Sequence, residues 1–140
     1  MVDWSPLGRV INLEEDTLDS NIYMRAARNT QIVGEYLGRC LAGISKDTGL
    51  RAEDIHFTGH SLGGQMLGTL GPSYKWWMGH LTGQEQKIGR LTGLDPAGPG
   101  FVDGHIIADP RLTLARLHKS DATFVDVIHT NAARGGPVAL

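Results

Sequence analysis

Ile55-His56-Phe57-Thr58-Gly59-His60-Ser61-Leu62-Gly63-Gly64 is the stretch on which the reading of the fold turns. Residues 55–58 form a short apolar run of strand character, and residues 62–70 read as a helix that stops at Gly71-Pro72. Between them lies Gly59-His60-Ser61-Leu62-Gly63, a Gly-x-Ser-x-Gly pattern. Alone it is a weak signal, because glycine and serine are common. Its place at a strand-to-helix junction strengthens it, since a tight turn there lifts the serine above the sheet in a strained backbone conformation. Gly59 and Gly63 leave room for strand and helix to approach, and Gly64 adds to this. The helix N-terminus brings a positive dipole end toward a developing oxyanion, with the Leu62 N–H as one donor. A glycine-rich turn without chemistry is the bland alternative.

Outward from this turn, the next strand is expected over residues 88–94, leading into Thr92-Gly93-Leu94-Asp95-Pro96-Ala97-Gly98-Pro99. Parallel strands deliver their C-terminal ends to one edge of the sheet, so Ser61 and Asp95 are expected on the same edge, serine first and acid second. Pro96 and Pro99 stiffen the turn after Asp95, as suits a carboxylate that orients an imidazole. An aspartate capping a loop is the competing reading. Upstream, Asp19, Ser20 and Asn21 offer helix N-caps. Ala26, Val33, Leu37, Cys40, Leu41 and Ile44 then recur at helical spacing, before Thr48-Gly49 ends the helix. Residues 2–4 read as the tail of a strand, residues 5–19 as loop, and residues 124–128 as a further strand. Strand, helix, strand repeated twice predicts an α/β fold with a parallel sheet and right-handed crossovers, in a single domain over residues 1–140.

Composition agrees with one soluble globular unit. The 140 residues are 41% apolar and 20% charged, with net charge −2 from 13 basic and 15 acidic side chains. The charges are scattered, which argues against nucleic acid, and no apolar run approaches the length of a membrane span. The start, Met1-Val2-Asp3-Trp4-Ser5-Pro6, shows no signal peptide. The single cysteine, Cys40, is expected as a small buried helix residue, with a bridge to a cysteine outside the chain as the alternative. The six histidines, His56, His60, His80, His105, His118 and His129, show no HExxH spacing.

Five motifs in order carry a resemblance. They are Val2-Asp3-Trp4; Tyr23 with Ala26 and Asn29; Gly59 to Gly63; Gly93-Leu94-Asp95-Pro96-Ala97-Gly98-Pro99; and Asp121-Ala122 followed by Phe124-Val125-Asp126-Val127-Ile128-His129-Thr130. Together they resemble the pancreatic lipase family, which includes lipoprotein lipase-like enzymes and secreted phospholipases A1. The resemblance implies a secreted α/β-hydrolase that cleaves acyl esters of glycerolipids at an oil–water or membrane interface, with Ser61 as nucleophile and Asp95 as acid. The chemistry then needs no cofactor.

The departures from the family pattern are equally informative. In the family the catalytic histidine lies beyond the stretch matched by His129, so it is expected outside these residues, as is the lid. His129 is the tempting substitute because it follows Asp95 and ends a strand; His118 and His105 have less support. His60 adjoins the nucleophile in sequence, but a side chain at that place in the elbow packs rather than takes a proton. The family's second oxyanion donor would lie upstream of Val2. Met1 therefore reads as the start of a partial chain, without the family's C-terminal lipid-binding domain. A calcium loop would fall over residues 113–121. The Arg116 carbonyl and Asp121 match it, but His118 stands where the family places an aspartate, which weakens the calcium reading. Residues 73–87, with Trp76-Trp77-Met78, read as a long loop at the end of the sheet opposite Ser61, suited to packing rather than to lipid contact. A non-catalytic lipid-binding or storage relative is the main rival function, and an intact Ser61 speaks against it. A peptidase or thioesterase on the same fold would rest on Gly-x-Ser-x-Gly alone.

Overall fold

A computed structural model describes residues 11–12, 17–18, 20–101 and 114–130. The expected strand tail at residues 2–4 lies outside them. Within the stretch read as loop, β1 (Ile11–Asn12) and β2 (Thr17–Leu18) pair as a two-residue antiparallel ladder. Helix α1 (Ser20–Thr48) follows, and Gly49, at φ 73, ends it with its N–H on the Ser45 carbonyl.

The buried face of α1 is not the one that large apolar residues suggest. Leu37 and Leu41 pack against the core, but Cys40 is exposed and Ile44 is 52% exposed. The buried stripe consists of small residues: Ala26, Ala27, Thr30, Gly34, Gly38, Ala42 and Ser45. The reason is the close approach of the next helix. A Cβ on Gly34 would stand 2.7 Å from the Met66 carbonyl oxygen, and one on Gly38 would stand 2.7 Å from that of Leu70. Two helices that touch backbone to backbone leave no room for a cysteine or isoleucine in the seam.

Helix α2 (Leu62–Thr82) begins at the expected place but does not stop at Gly71-Pro72. Pro72 lies inside it, at a general cost of about 3 kcal/mol. The helix continues because its second half is anchored. Tyr74 is fully buried and donates its hydroxyl to Ser45 Oγ at 3.2 Å, Ser73 Oγ donates to the Glu35 carbonyl at 2.8 Å, and Met78 is 4% exposed. Burying one large apolar side chain contributes roughly 1.5–3 kcal/mol, so two outweigh the proline. Gly83, in the left-handed conformation, caps the end. Trp76 and Trp77 therefore sit on a helix, not in a loop. Trp77 packs against the core with the Arg39 guanidinium 4.7 Å above its ring, while Trp76 is exposed and stacks on His80. At 1.5 Å per residue, Trp76 lies about 22 Å along the helix from Ser61.

Strands β3 (His56–His60), β4 (Arg90–Leu94) and β5 (Phe124–Ile128) form a parallel sheet in that order. Phe57, Leu91, Val125 and Val127 face the helices and join Leu67, Leu70, Tyr74 and Ile88 in the core. The opposite face carries a polar ladder. Arg90 donates twice to Asp126, at 2.6 and 3.2 Å, and Thr92 Oγ1 donates to Asp126 at 2.6 Å. With its proton so used, Thr92 Oγ1 accepts from His56 Nε2 at 2.8 Å, which fixes the histidine's tautomer. Arg90 and Thr92 hold the Asp126 carboxyl down at a pKa of about 2.

Candidate active site

The register of the sheet sets the site. His60 pairs with Leu94, and Leu94 with Ile128, so Ser61, Asp95 and His129 each occupy the first position past three aligned strand ends. Ser61 turns the chain from β3 into α2 at φ 53 and ψ −120, a conformation costly for any residue with a Cβ. A Cβ on Gly59 would overlap the Gly63 carbonyl, so a glycine before the serine is required. The turn is held by main-chain bonds. Ser61 N–H donates to the Leu94 carbonyl at 3.0 Å, and the Ser61 carbonyl accepts from Gly64 at 3.0 Å and from Ala97 at 3.1 Å. Leu62 N–H opens the helix, where no intrahelical acceptor exists for it, and is thus available to an oxyanion.

Asp95 also holds a positive φ, of 41. Its N–H donates to the Ile128 carbonyl at 2.8 Å. Its Oδ1 accepts the Thr130 N–H at 2.7 Å and its Oδ2 accepts the Thr130 hydroxyl at 2.6 Å. The hydroxyl bond first, then the backbone bond, pull its pKa below the ordinary carboxylate range, with smaller help from His129 and His60. The carboxylate is therefore ionised at neutral pH. His129 Nδ1 stands 3.9 Å from Asp95 Oδ1, near enough for attraction but too far for a hydrogen bond. Asp95 lies between Ser61 and His129 in strand order, whereas a relay needs the imidazole between serine and acid.

Among the other candidates, Asp126 is committed to Arg90 and Thr92. His118 Nδ1 lies 2.8 Å from Ser120 Oγ. His105 and Asp103 lie outside the described residues. The Arg116 carbonyl packs on the backbone of α2 at Gly68, where a Cβ would overlap it. Asp121 is 8% exposed, accepts the His118 N–H at 2.7 Å, and has its pKa raised by burial. No group of three or more His, Cys, Asp or Glu side chains converges as a metal site among the described residues. A cleft of about 650 Å³, lined in part by Lys46, Arg51, Glu53, Lys87 and Thr123, opens at the other end of the strands and holds none of these groups.

Two contributors escaped the sequence reading. Thr130 lies within a quoted motif, yet nothing in its type announced a double donor to Asp95. Gln65 gave a signal: it is a polar residue one turn after Ser61 on an otherwise apolar helix face, and it is 5% exposed.

A serine in a strained strand-to-helix turn, with an ionised carboxylate past the neighbouring parallel strand, defines part of an α/β-hydrolase fold. The chain belongs to the lipase family, whose family model, described as Lipase, matches residues 7–139. It is 40% identical over 111 residues to pancreatic lipase-related protein 2 of Bos taurus, covering 79% of this chain and 20% of that protein. It is 39% identical over 108 residues to hepatic triacylglycerol lipase of Rattus norvegicus, covering 77% of this chain and 19% of that one. Pancreatic lipase-related protein 3 of Homo sapiens is 38% identical over 115 residues, 82% of this chain and 21% of the relative. The chain thus spans about a fifth of the length of these relatives. No helix among the described residues is long and apolar enough to cross a membrane.

Proposed function

We infer that the protein is a serine carboxylic ester hydrolase acting on acyl esters of glycerolipids, triacylglycerol or the acyl chains of phospholipids, outside the cell. Ser61 is the nucleophile, Asp95 the acid and Leu62 N–H an oxyanion donor. The observation that carries the reading is Ser61 at φ 53 and ψ −120 on the same sheet edge as Asp95. A strained conformation held by serine, where glycine would sit without cost, supports a role for this side chain in chemistry.

In this mechanism Ser61 Oγ attacks the ester carbonyl while a histidine elsewhere in the protein takes its proton. The tetrahedral oxyanion forms beside Leu62 N–H at the positive end of α2. Collapse releases the alcohol, protonated by the same histidine, and leaves an acyl-serine. Water then repeats the sequence and frees the fatty acid. Asp95, ionised and held on both oxygens, orients the imidazole and stabilises its charged form. Calcium has no step here. The test is labelling by a fluorophosphonate. The complete protein labels at Ser61, Ser61→Ala abolishes it, and the same protein hydrolyses emulsified tributyrin or phosphatidylcholine vesicles. Lipid binding with neither labelling nor turnover would instead make this a non-catalytic lipid-binding relative.

A further inference from the structure

We propose that Gln65 is a positioning residue that fixes the distance between nucleophile and acid by gripping the Ala97 peptide; this rests on Ser61 and Asp95 having those roles. Gln65 lies one helical turn beyond Ser61 and is 5% exposed. Its Nε2 donates to the Ala97 carbonyl at 2.7 Å, and its Oε1 accepts the Leu117 N–H at 3.0 Å. The other side of Ala97 is held as well, because its N–H donates to the Ser61 carbonyl at 3.1 Å. Residues 61 and 65 therefore hold both polar groups of Ala97, two residues beyond Asp95.

Asp95 needs such a grip. Its φ of 41 is a strained conformation that persists only where the surroundings over-determine it. Thr130 holds the carboxylate and Ile128 the Asp95 N–H, but both belong to the β5 side of the acid. The Leu94 carbonyl fixes the nucleophile to the strand before Asp95, and the Ala97 peptide is the tie on the other side of it. The Gln65 amide offers one donor and one acceptor in the right directions, and both are used across the chain. A leucine or methionine would fill the volume and leave the Ala97 carbonyl and the Leu117 N–H unpaired.

A merely structural glutamine would change stability alone. A positioning one moves turnover, since a displacement of about 1 Å at a reacting group costs on the order of 10²-fold. The experiment compares the complete protein with Gln65→Met and Gln65→Glu, using p-nitrophenyl butyrate turnover, fluorophosphonate labelling of Ser61 and thermal unfolding. Gln65→Met is expected to lower kcat by roughly 10- to 100-fold with KM within about twofold, without pH dependence of its own. Gln65→Glu is the sharper probe, and it serves where the methionine variant does not fold. A protonated glutamic acid can donate to the Ala97 carbonyl while still accepting from Leu117, and a carboxylate cannot. Its activity therefore approaches wild type at low pH and falls as pH rises through the titration of the buried acid, a limb absent from wild type. Wild-type kcat in Gln65→Met, or a Gln65→Glu profile parallel to wild type, overturns the proposal while Ser61 still labels. Failure of wild type to label overturns the assignment of Ser61, and this inference with it.

Discussion

Ser61 and Asp95 are the non-glycine residues with positive φ among those described, and each such conformation costs of order 1–3 kcal/mol. Strain of that size at two adjacent strand ends fits the roles proposed for both residues. Asp95→Asn in the complete protein is expected to fold normally and to lose roughly 10⁴-fold in turnover, because the amide sets the wrong imidazole tautomer. A loss of less than tenfold would make Asp95 structural and send the search to another carboxylate. Asp126 supplies the contrasting case. Its pKa is depressed to about 2, so its ion pair and hydrogen bonds stabilise the fold fully above the ordinary carboxylate range and are lost as pH falls from about 4 toward 2. Asp126→Asn should therefore cost about 1 kcal/mol at pH 7 and almost nothing near pH 2. Urea midpoints of the two proteins measured across that range check this. A constant gap would show that the carboxylate's charge is not what matters.

At the scale of elements, what could be read in advance was whatever depends on a local pattern. Strand β5 falls over the residues 124–128 expected for it, and α2 starts at the Gly59–Gly63 turn. The end of α2 was hidden because Pro72 and Gly71 are local stop signals, and the burial of Tyr74 and Met78 that overrides them is tertiary. The buried side of α1 was hidden for a related reason. Apolar periodicity looks for large residues, whereas this seam is built from small ones that let two backbones meet. A pair of substitutions separates the two readings of α1. Gly38→Val places atoms where the Leu70 carbonyl and the Tyr74 N–H already stand, and is expected to destabilise by about 3 kcal/mol or more. Cys40→Ser, on the exposed side, should stay within about 0.5 kcal/mol of wild type. Chemical denaturation of both variants decides it. A costly Cys40→Ser with a harmless Gly38→Val would restore the larger-residue face as the buried one.

At the scale of the whole molecule, chain order alone placed serine and acid on one edge, and the sheet order adds what the sequence could not say about the base. Parallel strands lie about 4.8 Å apart, so Ser61, Asp95 and His129 stand in a row with the acid in the middle. Thr130 occupies both carboxylate oxygens, and His129 stays 3.9 Å away. An imidazole that serves as base must reach Ser61 and Asp95 at once, and His129 approaches from the far side of the acid. The 140 residues expressed alone are therefore expected to show no enzymatic hydrolysis of emulsified tributyrin or phosphatidylcholine vesicles, while His129→Ala in the complete protein lowers turnover by less than about tenfold. A triad whose base cannot reach serine and acid together loses about as much as one without its nucleophile, because the members act as a unit. Titration of released fatty acid, with a Ser61→Ala control, measures both. Turnover of even a few per second by the 140 residues, lost in Ser61→Ala and in His129→Ala alike, would mean that His129 swings across Asp95 to close the triad, with Thr130 releasing the carboxylate as it does so.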